Sequence, residues 1–176
     1  MVQDYCYLNK HTIWSNYLLS IISQLINKLK GSQYFTKIDL QWGYNNIHIK
    51  EGDKWKAAFI CHHGSFKPTI MFFGLCNSPS TFQTMMNKLF VDMEDVIVIY
   101  INDIMIFTKG SLEEHQAKVK EVLQQLRDND LFAHPKKCSF DRTKVKCLVR
   151  FINYDGIWMD DSKVKAIIDW PIPTTV

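Results

Sequence analysis

Residues 96–108 read Val-Ile-Val-Ile-Tyr-Ile-Asn-Asp-Ile-Met-Ile-Phe-Thr, two apolar and largely β-branched runs separated by one polar pair, Asn102-Asp103. Runs of this length and composition suit strands, and Asn and Asp tolerate the positive φ of a two-residue hairpin turn. The stretch therefore predicts a β-hairpin with an acid at its tip. As a structural feature that reading is complete by itself. A second isolated acid, Asp39, closes another apolar strand, Tyr34-Phe-Thr-Lys-Ile38. Carboxylates on adjacent strands can hold Mg²⁺, a hard cation that takes oxygen ligands. The two acids thus set a catalytic reading beside the purely structural one.

The 176 residues, 47% of them hydrophobic, suffice for one sizeable core, or for a core with a smaller appended lobe, and argue against disorder. A net charge of +3 permits a nucleic-acid partner without demanding one. Lysine outnumbers arginine 18 to 3, although arginine is the usual bidentate reader of phosphate. Five cysteines, odd in number, without CxxC spacing and without a signal peptide, predict a reduced, intracellular protein. The histidines have no ligand spacing, which sets zinc aside. The longest apolar run, 96–107, is too short for a membrane helix and is broken by Asn102 and Asp103, so no span is expected.

Along the chain, helical spacing of Leu18, Ile21, Ile22, Leu25, Ile26 and Leu29 predicts a helix over 17–30, stopped by Gly31. Residues 34–40 read as a buried strand and 41–44 as a turn. Residues 47–50, 55–61 and 66–73 read as three strands of a small antiparallel sheet, with turns at 51–53 and at His63-Gly64. Asn77-Ser78-Pro79 caps a helix whose inner positions are Phe82, Met85, Met86, Leu89 and Phe90. After the hairpin, Ser111 and Glu114 form a capping box for a helix to about Asp130, with Val119, Val122, Leu123 and Leu126 inward. Residues 136–140 and 144–154 read as strands around a turn at Asp141-Arg142, and Asp160-Asp161-Ser162 caps a last helix to Trp170. The order describes an α+β layer, one antiparallel sheet backed by helices, in which the end of strand 34–40 and the tip of the hairpin can lie side by side.

Four separated stretches, in order, carry a family resemblance: residues 34–44, YFTKIDLQWGY; residues 73–83, FGLCNSPSTFQ; the Tyr100-Ile-Asn-Asp103 hairpin; and the tail from Asp155-Gly-Ile-Trp-Met-Asp160 through Trp170-Pro-Ile-Pro-Thr. Over essentially the whole chain the sequence resembles the reverse transcriptase of gypsy-type LTR retrotransposons. The resemblance implies a right-hand polymerase fold: partial fingers in 1–14 and 45–77, palm in 15–44 and 78–153, and the start of a thumb in 154–176. It further implies a piece cut at both ends, lacking the upstream fingers, the rest of the thumb, the connection and the RNase H domain.

The activity implied is RNA-directed DNA synthesis by two-metal nucleotidyl transfer on an RNA or DNA template-primer with dNTPs. By resemblance Asp39 is the first metal ligand, helped by the Leu40 carbonyl, and Asp103 is the second acid of a Tyr-x-Asp-Asp motif. Tyr44 is the aromatic gate under the sugar, Phe73 and Gly74 lie near the incoming nucleotide, and Gln83 is structural. Asn102 departs from the pattern, because the family has a metal-contacting aspartate there. An amide brings no charge to two Mg²⁺ ions, so the resemblance implies weakened metal binding and severely impaired activity. Cys6, Trp14, Gln41 and His48 stand where the family usually has arginine, Leu18 and Ser20 replace prolines, and Val149-Arg150 replaces a Gly-Tyr or Gly-His pair. All but that last pair can arise by C-to-T or G-to-A mutation, which suggests a decaying copy. The alternative is a palm that binds nucleic acid without catalysis; an unrelated α+β domain with a merely structural hairpin is the third reading.

Overall fold

The described residues of the computed structural model are 4–17, 21–147 and 150–170. In chain order they begin with α1 (Cys6–His11), α2 (Ile22–Leu29) and β1 (Tyr34–Asp39), then β2 (Phe59–Cys61), β3 (Gly64–Phe66) and α3 (Ser78–Leu89). There follow β4 (Ile97–Tyr100), β5 (Asp103–Thr108), α4 (Leu112–Asp128), β6 (Ser139–Arg142), β7 (Lys144–Cys147), β8 (Arg150–Asn153), β9 (Ile157–Met159) and α5 (Asp161–Ile168). The central sheet has the order β4-β5-β1-β6, and β7-β8-β9 and β2-β3 form two smaller ones.

Side chains alternate across a strand, and here both faces of the central sheet are apolar. On one face Ile38, Leu40, Ile104 and Ile106 pack with Phe82 and Met86 of α3 and Val119, Val122 and Leu126 of α4. On the other, Phe35, Met105 and Phe107 pack with Leu25, Ile26 and Leu29 of α2 and with Val145, Cys147 and Ile152 of β7 and β8. Burial in that second core pushes the Cys147 thiol up to about 11, which makes it an inert packing residue. Covering both faces leaves the ends of the strands as the place where polar groups can gather.

Local signals fix several elements as expected. Ser111 and Glu114 close a reciprocal capping box on α4, and the Asp160 carboxylate accepts the Ser162 N–H at the start of α5. An ion pair with Lys146, followed by the Ser162 bonds, holds the Asp160 carboxyl down at about 2. Asn77 precedes α3 but does not cap it through its side chain. Its amide instead donates to the Ile13 carbonyl and accepts the Ser15 N–H, which ties the segment after α1 to the start of α3.

Other expectations are corrected. The first long helix starts at Ile22, after an extended Ile21, and buries only Leu25, Ile26 and Leu29; Leu18 and Ser20 lie outside the described residues. Residues 54–57 form a 3₁₀ turn, favoured by the i,i+3 ion pairs Glu51–Lys54 and Asp53–Lys56, so only 59–61 are strand. The β2–β3 turn is His62-His63, because Cys61 pairs with Gly64. Residues 47–50 and 67–73 are not full strands and meet through the single bridge His48↔Ile70. Pro135–Lys137 is likewise a 3₁₀ turn.

No hairpin forms around Asp141-Arg142. β6 adds to the edge of β1, where the Asp141 N–H donates to Thr36 Oγ1, and Asp141 turns the chain at φ 54°. The hairpin is β7–β8; Val149 and the tail beyond Trp170 lie outside the described residues. On α4, Leu123 is partly exposed, and the inner position unforeseen from sequence belongs to His115, which is fully buried. Its ring nitrogens meet Thr36 Oγ1 at 2.8 Å and Thr108 Oγ1 at 3.0 Å. Burial lowers the His115 pKa, opposed in part by Asp141.

Candidate active site

Tyr100 pairs with Asp103, so the two-residue turn of the hairpin is Ile101-Asn102. Of these it is Ile101 that takes positive φ, at 54°. The polar pair therefore does not form the tip as expected. The ladder decides this, because β5 pairs with β1 from Asp39↔Asp103 onward and claims Asp103 for the strand. A β-branched residue in the left-handed region costs about 1–3 kcal/mol. The turn is held on one side by Gln83 of α3, whose Oε1 accepts the Ile101 N–H at 3.1 Å and whose Nε2 donates to the Ile99 carbonyl at 3.1 Å. On the other side the Leu40 N–H donates to the Asn102 carbonyl at 2.9 Å.

The same register makes Asp39 and Asp103 direct cross-strand partners. Like charges placed opposite one another repel, and a lysine answers each. Lys37 Nζ lies 2.9 Å from Asp103 Oδ2, and Lys137 Nζ lies 3.6 Å from Asp39 Oδ1. Lys37 reaches its partner because residues two apart on a strand share a face. Lys137 is delivered by the segment after Leu131, which runs antiparallel to the end of β1: Ala133 bridges Leu40, and the His134 N–H donates to the Asp39 carbonyl at 2.8 Å.

Asn102 turns its amide inward. Its Oδ1 is buried without a hydrogen-bond partner and lies against Gly43, where a Cβ would come within 2.1 Å of it. Gly43 follows Trp42, which turns the chain at φ 58° into a 3₁₀ turn over Gly43–Asn46. Tyr44 in that turn is 6% exposed, its ring 4.9 Å from Phe73 and 5.9 Å from Phe82. Burial, with the Tyr100 hydroxyl as a second cause, raises the Tyr44 pKa. Phe73 itself is 73% exposed. Gly74, at φ 116°, presents its carbonyl to Asn9 Nδ2 of α1 at 2.7 Å.

The structure thus gathers Asp39, Leu40, Asn102 and Asp103 at one end of the central sheet, and packs Tyr44 against Phe73 beside them through Gly43. Two carboxylates and the Leu40 carbonyl are the oxygen donors that a hard divalent cation selects. Among the described residues no group of three or more acids, histidines or cysteines is placed to hold a metal. This set fits a cation that completes its shell with substrate or water oxygens, not an all-protein cage. Next to Asp103 lies an open cavity of about 540 Å³ lined by Lys37, Arg142, Lys144 and Lys146 with Ser139 and Val145. Lys144 Nζ stands 4.7 Å from the rings of both Phe151 and Trp158.

Lys37, Lys137 and His134 were not singled out from the sequence, and Gln83 was read there as structural. Strand alternation gives a signal for Lys37, two residues before Asp39. Nothing local marks Lys137 or His134, because a long-range bridge brings them in.

A family model described as Reverse transcriptase (RNA-dependent DNA polymerase) matches residues 4–150. The Transposon Tf2-3 polyprotein of Schizosaccharomyces pombe is 36% identical over 174 residues, covering 98% of this chain and 13% of the polyprotein. The Tf2-7 polyprotein of the same organism is 35% identical over the same share. This chain therefore spans about an eighth of the length of these relatives. Among solved structures, the foamy viral protease-reverse transcriptase in complex with RNA/DNA hybrid superposes with a TM-score of 0.88 at 23% identity, over 98% of this chain and 23% of the other. Its complex with dsDNA gives 0.89 at 24% identity, over 98% and 36%. These likenesses show the α+β polymerase fold.

Proposed function

The chain belongs to the reverse transcriptase (RNA-dependent DNA polymerase) family, and on that premise we propose that it is the palm-centred piece of a gypsy-type LTR retrotransposon polymerase, impaired at one metal-binding position. The observation that carries this reading is the register Asp39↔Asp103, with Asn102 in the turn beside it. The partition follows as before: fingers in 1–14 and 45–77, palm in 15–44 and 78–153, and thumb from 154.

Asp39, Asp103 and the Leu40 carbonyl are the groups that would hold Mg²⁺. There the metal would supply charge neutralisation of the triphosphate and a lowered pKa for the attacking primer 3′ hydroxyl. The buried Tyr44 ring, backed by Phe82, is the aromatic gate that would rest under the sugar and exclude a 2′ hydroxyl. Phe73 and Gly74 border the incoming dNTP. Asn102 contributes neither charge nor a solvent-facing oxygen, since its Oδ1 lies buried against Gly43. Losing one anion from such a site removes several kcal/mol of transition-state stabilisation, or orders of magnitude in rate.

Primer extension on an RNA template with Mg²⁺ tests the reading by comparing this chain with Asn102→Asp. Extension by the variant alone is expected. Equal extension by both overturns the argument from the missing carboxylate, and silence of both overturns an otherwise intact site. The cationic cavity beside Asp103 favours a second reading, a palm that binds template-primer without turnover. Binding that falls steeply with salt, without extension by either protein, is its signature.

A further inference from the structure

We infer that Gln83 is the positioning residue of the turn that carries Asn102 and leads into Asp103, and that Asn87 and Tyr17 fix its amide. Gln83 is 1% exposed, and its side chain spans the end of β4 by accepting the Ile101 N–H and donating to the Ile99 carbonyl. The orientation of the amide is forced, because a backbone N–H only donates and a carbonyl only accepts. The same Nε2 donates to Asn87 Oδ1 at 2.8 Å, and Asn87 Nδ2 donates to the Tyr17 hydroxyl at 2.6 Å. A relay of three side chains thus runs from the segment before α2 to the first residue of the turn.

The turn needs such a clamp. Ile101 sits at φ 54°, a conformation a β-branched side chain leaves readily unless its surroundings hold it. Rotation of Ile101 back to negative φ would swing its N–H away from Gln83 and displace Asn102 and Asp103 with it. Gln83 opposes that rotation from α3, while Leu40 holds the Asn102 carbonyl from the end of β1. Packing alone does not provide this: the hydrogen bonds of Gln83 are directional and meet the backbone on both sides of Tyr100. The consequence for metal binding rests on the proposed role of Asp103; the clamp itself does not.

The test is amide hydrogen exchange on the chain and on Gln83→Met and Gln83→Glu, with Mn²⁺ affinity measured from free-ion EPR. In Gln83→Met the Ile101 amide is expected to exchange about tenfold faster relative to Val98 and Ile104. The Mn²⁺ dissociation constant is expected to rise about tenfold, the scale found when support of a metal ligand is lost. Gln83→Glu keeps an acceptor for the Ile101 N–H and restores most of its protection. Uniform acceleration through β4 and β5, or unchanged exchange at Ile101, overturns the inference. Should Gln83→Met fail to fold, Asn87→Ala decides, with selective acceleration at Ile101 expected and none overturning it. Absence of Mn²⁺ binding in every protein sinks the polymerase reading, while the exchange data still decide the clamp.

Discussion

Replacing Lys37 with Met should have opposite effects on the metal-free protein and on metal binding. The Lys37 ammonium lies 2.9 Å from Asp103 Oδ2, with the two side chains 24% and 31% exposed. A pair that open to solvent is worth about 1 kcal/mol. Without it, Asp103 faces Asp39 across the ladder, and like charges directly opposite add roughly 0.5 kcal/mol. Met keeps the alkyl packing of the lysine stem, so the loss is electrostatic. For a chain of this size the sum lowers Tm by about 3–6 °C in chelator. A divalent cation that binds Asp103 must first displace the lysine. Removing that competitor should tighten binding about fivefold, the equivalent of about 1 kcal/mol. Thermal unfolding in chelator and a Mg²⁺ titration by calorimetry give both numbers, with Lys54→Met as the control for an ion pair elsewhere. If Lys37→Met binds Mg²⁺ no better than the unaltered chain, the lysine does not compete for that carboxylate and the reasoning fails.

Asn102→Asp should lower stability by about 1–3 kcal/mol in chelator, because a carboxylate replaces a buried amide against Gly43, and regain it with Mg²⁺; urea unfolding with and without the ion measures this. Gly43→Ala places a methyl group 2.1 Å from Asn102 Oδ1 and 3.2 Å from the Phe82 ring. It should destabilise by about 2 kcal/mol and shift the Asn102 amide resonances. For His115 the folded pKa lies below the unfolded value near 6.5 through burial. The unfolded chain therefore takes up the proton first, so stability holds above pH 6.5 and falls as pH drops toward the folded pKa. Urea midpoints at pH 7.5 and 5.5 should differ, and His115→Leu should reduce the difference.

Much of the fold was legible because it is written in local patterns. The β-branched runs at 34–39, 97–100 and 103–108, the capping box at Ser111 and the proline in the first turn of α3 are each decided by neighbours in sequence. The misreadings fall where two local solutions are close in energy and a distant contact chooses. Residues 55–57, read as the start of a strand, are the exception, because local i,i+3 ion pairs close 54–57 as a 3₁₀ turn. Residues 136–140 read as one arm of a hairpin turning at Asp141-Arg142, but 139–142 find the open edge of β1 and the Thr36 hydroxyl. In the hairpin itself, Asn and Asp suit the tip by propensity, yet the ladder with β1 takes Asp103 and puts Ile101 at positive φ.

The sequence by itself determined the α+β class, the family, and the two acids with their asparagine neighbour, because motif spacing and hydrophobic period survive in one dimension. Only the tertiary structure decided what surrounds those acids. It placed a lysine on each carboxylate, buried the Asn102 oxygen against Gly43, set Gln83 across the strained turn and drew Lys137 and His134 beside Asp39. The physical reason is that charge pairing, burial and hydrogen-bond direction act between groups close in space, and here the partners lie on different strands, helices and bridging segments. No local pattern records that, of 18 lysines, it is Lys137 that the folded chain brings within 4 Å of Asp39.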